Sequence, residues 1–227
     1  YAGAGAAVTV DLASAGAQDT GGAGSDTLSN FENLTGSAFD DALTGNAGFN
    51  IINGGLGNDT MAGGDGNDLY LVNSAADVIV EAADAGIDEV YAYASIAMAA
   101  NVENARILAT TNTSVAGNAL DNVILSGAGD NVLSGGGGND TLHADSSANI
   151  WQLAGTNAGT LNGNTFLGTE NLRGADNYDD TFLVTRSAGP EQVLHIDGGT
   201  GGKDKLVFDD NCSTLGFAPG APGAGTV

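Results

Sequence analysis

The chain has 227 residues, a length that suits one domain or two small ones, and carries 28 acidic against 5 basic residues for a net charge of −23. Phosphate recognition needs clustered Lys and Arg; here Arg106, Arg173, Arg186, Lys203 and Lys205 are scattered, only the two lysines lying close together, which argues against a nucleic-acid partner. No apolar run approaches the roughly 18 residues of a membrane span, and Cys212, the single cysteine, rules out an intrachain disulfide.

Leu, Ile, Val and Phe supply only 50 residues, and alanine inflates the hydrophobic fraction of 42%. A chain this acidic and this poor in large apolar side chains struggles to offset its conformational entropy by burial alone. A bound cation is the natural remedy for such a charge excess, and a metal can serve as a staple where disulfides are absent.

Taken in chain order, the N-terminal Tyr-Ala-Gly-Ala-Gly has neither the basic nor the apolar region of a signal peptide and starts abruptly, as a fragment of a longer chain would. Residues 1–35 are expected to be lead-in strands holding one isolated nonapeptide, GGAGSDTLS (21–29). From Gly36 five nonapeptides follow without a gap: GSAFDDALT, GNAGFNIIN, GGLGNDTMA, GGDGNDLYL and VNSAADVIV, ending at residue 80. Residues 81–116 are expected to form wider coils; they hold a copy two residues out of phase, ADAGIDEVY (83–91), and VYAYASIAM (90–98) alternates as one strand should. A second array spans 117–152 with GNALDNVIL, SGAGDNVLS, GGGGNDTLH and ADSSANIWQ. Residues 153–217 look β-rich with degenerate copies, ADNYDDTFL (175–183) and GTGGKDKLV (199–207). The end, APGAPGAGTV (218–227), reads as a flexible linker. A longer recurrence, FENLTG (31–36), VENARI (102–107) and TENLRG (169–174), reads as a strand followed by a turn that feeds a coil.

The shared form is G-G-x-G-x-D-x-U-x, where U is a large apolar residue. Glycine at positions 1, 2 and 4 permits a tight reversal through backbone angles open mainly to glycine. Positions 7 to 9 make a short strand with U pointing inward and its neighbours outward. Leu43, Ile52, Met61, Tyr70, Ile79, Ile124, Leu133, Leu142 and Trp151 then line a thin core. Two nonapeptides make one coil, so Asp41, Asp59 and Asp77 fall on one edge, with Asn50 and Asp68 on the other. In the second array Asn122 and Asp140 share an edge, opposite Asn131 and Asn149.

This pattern resembles the repeats-in-toxin, or haemolysin-type, calcium-binding nonapeptide family. The resemblance covers most of residues 21–152 and, more weakly, 169–207. It implies an all-β fold, a parallel β-roll (right-handed β-solenoid) with glycine-rich calcium-binding turns. Calcium takes about 6–8 oxygens from carboxylates and carbonyls, and stacked turns offer both. The expected metal residues are Asp26, Asp41, Asp59, Asp68, Asp77 and Asp140, with Gly55, Gly57, Gly64, Gly66, Gly136 and Gly138 in the turns. Asparagine lacks the charge, so the first array is expected to hold the tighter sites, with Asp59 central and position-5 Asp40, Asp121 and Asp130 as partial compensation. Zinc would want paired Cys or His, and His143 and His195 are far apart. His143, at an outward position 9, is expected to be solvated.

G-x-S-x-G, H-E-x-x-H, Walker A and EF-hand patterns are absent from the sequence, and the chain is not expected to be an enzyme. The leading expectation is an extracellular, cell-surface-associated structural protein (a surface-layer, matrix or adhesin component) that leaves the cell by the type I route the resemblance implies. It would fold on binding calcium and have copies of itself as further partners. The alternative is the calcium-dependent module of a type I secreted enzyme, a protease, lipase or polysaccharide-modifying enzyme, with its catalytic domain elsewhere.

Overall fold

A nonapeptide period leaves room for only a short strand between turns. The computed structural model describes residues 1–145, 149–153, 157–184 and 195–208; Arg186, Cys212 and the expected linker at 218–227 lie outside them. Every strand among the described residues is two to four residues long, and none of these residues is helical. Within Ala42–Thr44, Thr60–Ala62 and Val132–Ser134 the middle residue, Leu43, Met61 or Leu133, is buried while the first is exposed. This is the two-residue alternation of a pleated strand with one face on a core.

The strands stack into a parallel β-roll. One face is a nine-stranded, wholly parallel sheet running from Asn33–Thr35 to His195–Asp197. The chain alternates between it and two further sheets. A four-stranded parallel sheet holds Thr9–Asp11, Ala42–Thr44, Thr60–Ala62 and Val78–Ile79. An eight-stranded sheet runs from Ile96–Ala97 to Lys205–Phe208. Side chains from all three meet in a single core. Eight of the nine expected U residues are fully buried there; Ile79 is only partly covered. Its strand ends the four-stranded sheet, and a cavity of about 40 Å³ lined by Ile79, Val90, Ile96 and Met98 lies beside it.

The two-nonapeptide coil appears as register. Leu34 faces Ile52, Ile52 faces Tyr70, Leu43 faces Met61, and Ile124 faces Leu142. Between the arrays the step varies: Tyr70 pairs with Val90, Val90 with Ala105, and Ala105 with Ile124. The first and last of these coils are therefore wider than a pair of nonapeptides, and the middle one is tighter.

Three local expectations are corrected. The stretch 90–98 is not one strand: Glu89–Ala92 belongs to the nine-stranded sheet and Ile96–Ala97 to the opposite face. A roll whose faces are this narrow has no room for a single strand of that length. The isolated copy at 21–29 does not stack as a coil, because its start at Gly21 is not a whole number of nonapeptides from Gly36. Its Ser25–Thr27 pairs antiparallel with Ala17–Asp19 instead. His143 is half-buried opposite Arg173, not freely solvated. Burial and then the Arg173 charge push its pKa below the ordinary histidine value.

The second array also carries an insertion. Asn131 and Asn149 are not stacked neighbours, because Ala158–Leu161 and Asn164–Leu167 lie between their strands in the sheet, with Ala158–Leu161 antiparallel to both flanking strands. Trp151 anchors this region, stacked on Phe182 at 5.4 Å and edge-on to Phe166 at 5.9 Å. Rings at such separations add directional attraction to their buried area.

Candidate metal centre

The turns are built by glycine in two different ways. Gly55 and Gly57 have φ of +94° and +129°, a region that L side chains rarely adopt. Gly64, Gly66, Gly136 and Gly138 repeat this at positions 2 and 4 of their own turns. Position 1 is glycine for lack of space, not for its angles. A Cβ on Gly54 would lie 2.7 Å from Cβ of Asp59, and one on Gly36 would strike both the Gly54 carbonyl oxygen and the Asp41 carboxylate. Backbone oxygens of one turn and carboxylates of another thus crowd the same space.

Position 6 forms a ladder. The amide of Asp41 donates to Oδ1 of Asp59 at 2.9 Å, and that of Asp59 to Oδ1 of Asp77 at 3.1 Å. On the other edge Asn50 donates to Asp68 at 2.7 Å, Asp68 to Asp88 at 2.7 Å, and Asn122 to Asp140 at 2.8 Å. Two of the three glutamates of the longer recurrence, Glu103 and Glu170, take the same place. Asp88 donates to Glu103 and Asp140 to Glu170, each next to a strand that opens with asparagine.

The second oxygens separate the expected residues. Both Asp41 oxygens are occupied, by the amides of Val8 and Ser37 and by the Ser37 hydroxyl. Asp77 is half-exposed and its Oδ2 accepts from the amides of Asn73 and Ser74. Asp59, Asp68 and Asp140 are buried with Oδ2 free of any hydrogen-bond partner, as are Asp88 and Asp180. An unpaired buried carboxylate is costly unless something positive joins it. Burial raises the pKa of all five, with neighbouring carboxylate charges adding; Asp68 and Asp88 are pushed up to about 6. Asp26 stands apart in the N-terminal hairpin, half-buried and holding the hydroxyls of Tyr1 and Thr20. At position 5, Asp40 and Asp121 accept the amides of Asn58 and Asn139 from the next turn, while Asp130 donates its own amide to Asn112.

The position-6 asparagines Asn50, Asn122 and Asn131 turn Nδ2 onto backbone carbonyls, Asn50 and Asn122 onto those of the preceding coil, Glu32 for the one and Val102 and Glu103 for the other. Asn131 turns its Nδ2 onto the carbonyls of Gly127 and Ala128 in its own turn, at 3.4 and 3.1 Å. In the repeat of Asp59 the equivalent carbonyls belong to Gly55 and Leu56. An amide NH₂ supplies positive charge to those carbonyls; a carboxylate oxygen in its place supplies more negative charge. The aspartate turns are therefore sets of hard oxygen donors in need of a cation, which fits calcium and not a nitrogen- or sulfur-seeking metal.

The sequence matches the RTX calcium-binding nonapeptide repeat family in four copies, over residues 35–70 and 116–150. The chain carries RTX calcium-binding nonapeptide repeats. No curated protein matches it. The first RTX segment, and the second as far as His143, fall on stretches where one coil is a pair of nonapeptides. Asp88 and Asp180, outside both segments, are stacked and unpartnered like the RTX aspartates. Their signal was present as position 6 of the copies at 83–91 and 175–183.

Proposed function

We propose that this RTX chain is an extracellular structural protein that calcium folds after export by the type I route, and that it serves as scaffold at the cell surface and not as a catalyst. The observation that carries this reading is the row of buried, unpartnered Oδ2 atoms on Asp59, Asp68, Asp88, Asp140 and Asp180. Where calcium is scarce, a net charge of −23 and these buried anions oppose the fold. Where it is abundant, the turn carboxylates and carbonyls would hold calcium, and its binding free energy becomes folding free energy. Calcium supplies the positive charge that the turns lack. No helix among the described residues is long and apolar enough to cross a membrane.

Circular dichroism of the chain in chelator and in millimolar calcium tests the reading. Unordered chain in chelator and β structure with calcium are expected. A chain equally β-rich in both overturns it.

A further inference from the structure

Two residues break the nonapeptide phase between the copy ending at Val80 and the copy beginning at Ala83: Glu81 and Ala82. Glu81 falls two nonapeptides after Gly63, where the repeat would place another position-1 glycine. Its side chain reaches the hydroxyl of Tyr70, a fully buried core residue. There its carboxylate meets Asp68 and Asp88, with oxygens of all three within 4.8 Å of one another.

This cluster differs from an exposed group of acids in two respects. Asp68 is 2% exposed and Asp88 1%. Each presents an Oδ2 without a hydrogen-bond partner, and Oε2 of Glu81 is likewise unpartnered. None of the ion pairs among the described residues includes any of the three. Two buried carboxylates and the half-buried Glu81 thus converge with an unpartnered oxygen each. The ordinary turn offers one or two, as at Asp59, and the nonapeptide pattern has no place for the third.

We propose that Asp68, Glu81 and Asp88 form a three-carboxylate calcium site inside the roll, in which Glu81 joins a stacked pair of position-6 aspartates. The proposal rests on the calcium reading of the repeats and extends it to a position where the repeat is broken. Oxygen-only ligands of high charge favour calcium, and affinity rises with the number of charged ligands. This site is accordingly the first to fill. Its place has a structural consequence. The four-stranded sheet ends at Val78–Ile79 without pairing to Ile96–Ala97, so strand pairing carries the first array into the following coil only through the opposite sheet. An ion held by Asp68 from the array, Glu81 from the break and Asp88 from the next coil ties the two together.

Native mass spectrometry of the full chain across a calcium series, with Glu81→Gln and Glu81→Gly beside the wild type, tests the site. Glu81→Gly restores the repeat's own residue. Each variant is expected to hold one calcium fewer than wild type, with the first binding step weakened at least about tenfold, while circular dichroism in saturating calcium is unchanged. Variants that bind as many ions as wild type, with the same first step, overturn the triad and leave the repeat sites standing. A wild type that binds no calcium overturns the repeat reading itself. Should both variants fail to fold, terbium decides. At one equivalent of terbium, emission excited through tyrosine is expected to fall at least about fivefold in Tyr70→Phe, a change that removes only the hydroxyl. Undiminished emission overturns the site.

Discussion

The backbone amide of Asp41 donates to Oδ1 of Asp59 at 2.9 Å, joining residues that are 18 apart in sequence. Asp59 therefore has two separable roles. Oδ1 closes the ladder, and Oδ2 is the unpartnered donor. Asp59→Asn preserves an oxygen acceptor for the ladder and removes the charge. Asp59→Ala also strands the buried Asp41 amide, at a further cost of about 1–3 kcal/mol. Both variants are expected to need more calcium for half-folding in a titration followed by circular dichroism, and only Asp59→Ala to lose the additional stability in urea at saturating calcium. An unmoved calcium midpoint in Asp59→Asn would remove Asp59 from the ligand set.

Glycines of the turn are not interchangeable. Gly57 combines a φ of +129° with a backbone carbon of Phe39 only 2.6 Å from where a Cβ would sit. Gly137, at position 3 of its repeat, has open space, its nearest neighbour being 3.8 Å away. Gly57→Ala is expected to destabilise the calcium-loaded protein by about 2 kcal/mol or more, since strain and clash add. Gly137→Ala should lie within about 0.5 kcal/mol of wild type. Equal urea midpoints for the two variants would contradict this account of the turn.

Trp151 tests the core of the inserted region. It is fully buried between Phe166 and Phe182. Trp151→Ala is expected to cost about 3–5 kcal/mol, the range for deleting a large aromatic from a packed core. Urea unfolding in calcium, followed by far-ultraviolet circular dichroism because the variant lacks the only tryptophan, checks it. A loss below about 1 kcal/mol would mean that this end folds independently of the ring cluster.

The repeating part of the fold was legible because each element of it is a local rule. A nonapeptide fixes where U points, and nine doubled fixes which aspartates share an edge, so the Asp41–Asp59–Asp77 edge follows from counting. Counting says nothing of Asp26, since a motif out of phase has no coil to stack on. Nor does it show which carboxylates are already occupied. Ser37 and Val8 take up Asp41, while Asp59, one coil further along, keeps a free oxygen. The position-1 glycines were read as angular necessities, but Gly54 is a steric one, visible only once the turns are stacked. Glu81 carries no motif of its own, because its partners lie in different repeats, Asp68 in the array before the break and Asp88 in the copy after it. Only the folded coil brings them together.

Acid should partly replace calcium. The pKa of Asp68 and that of Asp88 rise from an ordinary 3.8 to about 6, mainly through burial, and those of Asp59, Asp140 and Asp180 rise for the same first reason. Between those limits the folded state binds more protons than the unfolded chain. The metal-free fold therefore gains stability as pH falls from about 6 toward about 4 and loses it as pH rises through the same window. Asp176 and His143 oppose this, the first through a pKa lowered chiefly by the Thr200 amide and the second through one lowered by burial, but they are two groups against the five aspartates and Glu81, whose pKa burial also raises. With calcium present the direction reverses, because protons compete for the same carboxylates. The expected result is more β structure in chelator at pH 5 than at pH 7, together with weaker calcium binding at pH 5. Metal-free β structure that increases from pH 5 to pH 7 would mean that the buried carboxylates do not limit folding.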